Sequence, residues 1–102
     1  MKFESDELKT TFETPDRPTA REWLEYESSI DFRSGTKGWE MYARLWSGIC
    51  TSMVRQWQSE YIVKPTLEIL DQELEYTAIK VIKWAGLALF SWLLELRETP
   101  KN

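Results

Sequence analysis

One stretch of this sequence constrains all the rest. Tyr76 to Leu94 reads Tyr-Thr-Ala-Ile-Lys-Val-Ile-Lys-Trp-Ala-Gly-Leu-Ala-Leu-Phe-Ser-Trp-Leu-Leu, and its last eleven residues, Trp84 to Leu94, carry no charge. The run is rich in Ala, Leu and Trp, and only Gly86 argues against a helix. A helix that is apolar nearly all round must be covered on several sides. At ~1.5 Å per residue, the uncharged run spans roughly half of a hydrocarbon core of ~30 Å. Extending it toward the N-terminus meets Lys83 and Lys80, which are costly at mid-membrane. The stretch is therefore expected to be the central helix of a soluble domain, not a membrane span. Met1 to Pro15 is polar and acidic and does not read as a signal peptide.

A chain of 102 residues is expected to form one domain with a modest core. Six Trp and an aromatic content of 14% build that core, or an interface, from large rings. The net charge of -4 disfavours nucleic acid as a partner, since phosphate recognition needs a basic footprint. There is no His, which removes the usual base near neutral pH and the commonest metal ligand. Cys50 is the only cysteine, so an internal disulfide and a Cys-rich metal site are excluded. A reducing cytoplasm suits it. Cys50 has no base near it in sequence and reads as a packing residue. No Gly-rich phosphate loop is present, and the Ser and Thr residues lack an activating His. The chain is not expected to be an enzyme or to hold a cofactor or metal.

Along the chain, residues 1–18 read as an extended arm. Thr10 to Thr14 is rich in strand formers with partial alternation. The arm can be a frayed terminus, a strand or hairpin laid on the domain, or an arm that pairs with a neighbouring subunit. Pro15-Asp16-Arg17-Pro18 breaks it. Thr19-Ala20-Arg21-Glu22 then has the form of a capping box. A first helix follows to about Phe32, with Trp23, Tyr26 and Ile30 on its apolar face and Leu24 beside it. Ser34 to Gly38 is a turn, with Thr36 as the expected N-cap of helix two. That helix is expected to run through Gln56, on a seam of Trp39, Tyr42, Trp46, Ile49, Met53 and Trp57. Those spacings of 3, 4, 3, 4 and 4 give the strongest helical period in the chain. Ser47-Gly48 is a candidate kink.

Tyr61-Ile62-Val63 is β-prone, and reads either as a strand pairing with the arm or as the end of helix two. Leu67, Leu70 and Leu74 mark a short third helix, either separate from the last helix or continuous with it. The last helix ends near Glu98, before Pro100. The expected fold is mainly α: a small bundle of three to four helices over residues 19–98, with an N-terminal arm over 1–18 and a C-terminal tail over 99–102.

Two segments carry a family resemblance. The first is Phe12-Glu13-Thr14-Pro15 followed by Arg17, Thr19, Arg21, Leu24 and Tyr26. The second runs from Val54-Arg55-Gln56-Trp57 through Pro65-Thr66-Leu67 to Val81-Ile82-Lys83-Trp84-Ala85-Gly86, and closes with Leu96 and Pro100-Lys101-Asn102. Together they resemble the small tail assembly chaperones of long-tailed bacteriophages. The connection after Trp57 is shorter, and Leu87 to Trp92 more aromatic, than that family leads one to expect.

The resemblance implies a non-enzymatic helical protein that coats the tape measure protein and keeps it soluble while the tail tube polymerises. Implied partners are the tape measure protein, the tail tube protein and further copies of the chain. The implied place of action is the host cytoplasm, with no copy in the mature virion. The binding face is expected on the helix-two seam (Trp39, Tyr42, Trp46, Trp57) or on the rings of the last helix (Trp84, Phe90, Trp92). Two other readings stand beside it. One is a small acidic inhibitor, acting by protein contact or nucleic-acid mimicry, in which Glu22, Glu25, Glu27, Asp71, Glu73 and Glu75 form one patch. The other is a structural tail or neck component.

Overall fold

Alternation in the first thirteen residues makes a hairpin. The computed structural model describes residues 1–31 and 38–98. Strands β1 (Lys2–Ser5) and β2 (Thr10–Glu13) pair antiparallel, with Phe3 opposite Phe12. Side chains alternate between the faces of a strand, so both rings turn inward while Lys2, Glu4 and Glu13 stay exposed. The hairpin therefore supplies Phe3, Leu8 and Phe12 to the core. Of the three readings of the N-terminal arm, the structure takes the hairpin.

Helix α1 (Ala20–Ile30) starts at the expected capping box. The Glu22 N–H donates to Thr19 Oγ1 at 3.2 Å, and the Thr19 N–H donates to Glu22 Oε1 at 2.8 Å. The second carboxylate oxygen accepts from Arg55 Nη2 at 3.0 Å, which ties the helix start to a later strand. The Thr19 backbone hydrogen bond holds the Glu22 carboxyl below its ordinary pKa; burial opposes this, and the Thr19 hydroxyl and the Arg55 charge add to it. Arg55 is half exposed, so solvent weakens the ion pair and the cap is the larger contribution.

A depressed carboxylate pKa stabilises the fold above the unfolded value of ~4.3 and is lost as pH falls through the lower folded value. Glu22→Gln is expected to cost roughly 1–2 kcal/mol at pH 7. The gap from wild type should close in acid, as the wild-type carboxyl protonates. Urea titrations across pH check this, and a gap independent of pH would contradict it.

Helix α2 (Gly38–Ile49) is shorter than its seam suggested. The expected N-cap Thr36, the Ser34 to Lys37 turn and Phe32 lie outside the described residues. The helix closes in a tight turn: Cys50 N–H donates to the Trp46 and Ser47 carbonyls, and Thr51 Oγ1 donates to the Gly48 carbonyl at 2.7 Å. Ser and Thr compete in this way for backbone groups and end helices. The next segment, β3 (Arg55–Ser59), pairs antiparallel with β2. Sheet order is β1-β2-β3. The strand lies upstream of Tyr61-Ile62-Val63, where it was expected. Trp57 thus belongs to a strand, although its spacing fits the helix seam.

The fold class must be corrected accordingly. The fold is α+β, with three helices and a three-stranded antiparallel sheet among the described residues, and not a bundle of three to four helices. The expected third helix is one short 3-10 segment, Leu67–Asp71, separated from the last helix. That last helix, α3 (Tyr76–Glu98), falls where expected. The C-terminal tail, 99–102, lies outside the described residues.

Helix α3 is the one described helix long and apolar enough to cross a membrane, by length and composition alone. Its stripe of Ala78, Val81, Ile82, Ala85, Gly86, Leu89 and Leu93 is buried. Gly86, the one residue that argued against a helix, lies against Leu45 of α2. A Cβ added there would stand 2.8 Å from Leu45 Cβ. Gly48, read as a kink, is instead a contact point in the last turn of α2, where an added Cβ would collide with the Tyr26 ring of α1.

Candidate functional site

The seven ring residues expected to form a binding face divide between core and surface. Trp46 is fully buried, and its indole N–H donates to the Thr66 carbonyl at 2.9 Å. Trp57 is half-buried and donates to the Ile62 carbonyl at 2.7 Å. Trp57 meets Trp46 edge-on at 5.7 Å and stacks on Phe12 at 5.8 Å. Phe12 stacks on Phe3 at 4.6 Å and meets Trp84 edge-on at 5.7 Å. Phe3 meets Trp92 edge-on at 5.7 Å. These rings form one continuous array between the sheet, α2 and α3. Stacked and edge-on pairs of this kind add stability beyond the area they bury. These contacts pack Trp46, Trp57, Trp84 and Trp92 into the fold, Trp46 fully buried and the other three half-buried. Phe90 is half-buried and lines a separate hollow between α1 and α3, with Trp23, Tyr26 and Ile30.

Trp39 and Tyr42 are placed differently. Trp39 is 73% exposed, at the N-terminal turn of α2. Both rings line a groove of about 800 Å³ between α2, the 3-10 segment and the first turns of α3. Leu67, Ile69, Leu70 and Leu74 form one wall, and Ile79, Ile82 and Lys83 come from α3. Leu67 and Leu70 are exposed. The Lys83 ammonium sits 5.1 Å from the centroid of the Tyr42 ring, where it draws on the ring's negative face. The groove is thus an open, mainly apolar trough with the exposed Trp39 indole at its lip.

The leucine wall was missed as a site. Leu67, Leu70 and Leu74 share a helical period, which predicts one face packed on the domain. The segment makes only a short 3-10 turn, whose geometry does not keep that period. Two of its leucines consequently face water.

The six carboxylates expected to act as one patch do not stand equally free. Glu22 is buried in its capping box and bonded to Arg55. Glu25 accepts from the Ser52 N–H at 2.8 Å and from its hydroxyl at 3.2 Å. Glu27 lies 3.6 Å from Arg97. Asp71, Glu73 and Glu75 are all exposed, and of the three only Asp71 lines the groove. Cys50 is half-buried, and burial, then the charge of Glu68, push its thiol up to about 12. A thiol so rarely ionised is a poor nucleophile. Among the described residues no group of His, Cys, Asp or Glu is placed to hold a metal ion.

Several residues that carry the family resemblance are structural, while Leu67, Ile82 and Lys83 of the same segments line the groove. Phe12, Tyr26 and Val81 are core, Trp57 and Trp84 belong to the ring array, Thr19 is a cap, and Gly86 permits the α2–α3 contact. Trp39, Tyr42, Leu70 and Leu74 in the groove lie outside those segments. No protein-family model, curated protein or solved structure matches this chain.

Proposed function

We propose that this chain is a non-enzymatic protein-binding module whose groove takes up the apolar face of a helix from another polypeptide. The observation that carries this reading is Trp39, 73% exposed at the lip of an apolar trough. A contiguous exposed apolar patch on a small domain marks an interaction site. Trp and Tyr are the residues that most often anchor such interfaces. An amphipathic helix laid in a groove is a recurrent way to fill one.

The groove speaks for the class of partner. The resemblance to tail assembly chaperones supplies its identity, the tape measure protein, with the tail tube protein as second candidate. On that reading the chain acts in the host cytoplasm and leaves before the particle is complete.

Co-expression with the tape measure protein of the same phage tests the assignment. The expected result is a soluble complex that elutes with both chains, and insoluble tape measure protein when the chain is omitted. A tape measure protein that behaves alike in both cases would refute the assignment. Mass spectrometry of purified particles separates a chaperone, expected to be absent, from a structural tail or neck component.

A further inference from the structure

The proposed occupant of the groove can be specified by its charge, and this step rests on the helix-binding reading above. From Pro65 to Ile79 the chain carries Glu68, Asp71, Glu73 and Glu75 and no basic residue. Asp71 lines the groove directly, while Glu73 and Glu75 flank the lining residue Leu74. All three are exposed, and none has an ion-pair partner among the described residues. That side of the trough therefore carries Asp71 in its lining, with the exposed carboxylates of Glu73 and Glu75 next to it in the chain. The α3 side differs, because its lining charge is Lys83, held over the Tyr42 ring. Carboxylates so placed attract cations and repel other carboxylates across a desolvating contact.

We infer that the groove selects an amphipathic helix with a row of Lys or Arg along one edge of its apolar face, seated against residues 71–75. The apolar stripe fills the trough beside Trp39. The basic edge meets Asp71, Glu73 and Glu75. Acidic helices of the same hydrophobicity are turned away by the like charge, so these carboxylates supply specificity while the trough supplies affinity.

Three labelled helical peptides with one shared Leu/Phe stripe test this, their flanks being all Lys, all Gln or all Glu. Affinity is read by anisotropy against the full chain at low and high salt. The Lys peptide is expected to bind about tenfold or more tighter than the Glu peptide at low salt. The gap should shrink as salt rises. It should vanish in the triple variant Asp71→Asn, Glu73→Gln, Glu75→Gln, whose circular dichroism and melting should match wild type.

Equal binding of the three peptides would overturn the charge selection and leave the groove reading standing. So would a preference that survives in the triple variant. Failure of every peptide to bind would overturn both. Self-association that protects Trp39 and excludes all three peptides would reassign the groove to a second copy of the chain.

Discussion

Replacing Phe12 by Ala is expected to lower the unfolding free energy by about 3–5 kcal/mol, the range for deleting a buried aromatic ring. Phe12 has no exposed surface and touches Phe3, Trp57 and Trp84 at ring-pair distances. Removing it opens the ring array at its centre, where three elements meet. A domain of this size has roughly 5–15 kcal/mol to lose, so the variant should be near collapse. Urea unfolding followed by tryptophan fluorescence measures the loss. Val63→Ala, at a site 91% exposed, serves as control and should fall within about 0.5 kcal/mol of wild type. A cost below about 1 kcal/mol for Phe12→Ala would mean that the hairpin is not part of the cooperative unit, and the packing of sheet on α3 would be wrong.

Trp39→Ala is expected to do the reverse: stability holds and binding goes. The indole is largely in water, so its removal should shift the unfolding free energy by no more than about 0.5 kcal/mol. As the anchor at the groove lip it should weaken a helical partner by about 30-fold or more, or ~2 kcal/mol. Trp46→Ala, seven residues on along the same helix, should instead destabilise the fold by about 3–5 kcal/mol. The pair separates two roles that look identical on a helical wheel. Calorimetric titration with the co-purified partner, alongside melting of each variant, reads both. Unchanged affinity for Trp39→Ala would place the binding face elsewhere.

How much of this could be read without coordinates differs from element to element. The capping box at Thr19 and Glu22 is local chemistry over four residues, and it formed as written. The last helix was legible because its apolar run admits no other backbone. The sheet was not. The hairpin turn has no glycine, and Lys9 takes the positive φ of 48° that a Gly or Asn would have advertised. Gln56 does the same, with φ 54°, beside the register shift in the β2–β3 pairing. Met53 and Trp57 both turn toward the core as their seam implied, yet neither is helical. The period of this seam predicts neither backbone nor burial throughout, since Trp39 at its start is 73% exposed.

The candidate site shows the same split. Trp39, Tyr42, Trp46 and Trp57 share one period in the sequence, and nothing local distinguishes the first two from the last two. Trp57 leaves the helix because α2 ends at Ile49, and Trp46 follows Leu45, where α2 packs on Gly86 of α3. Local order therefore determined the capped first helix and the apolar last helix of an aromatic-rich chain that has no His. Tertiary structure alone decided which rings became core and which were left to line a groove. The physical reason is that ring burial depends on neighbours brought from distant parts of the chain, and those contacts are carried by packing instead of by spacing along the sequence.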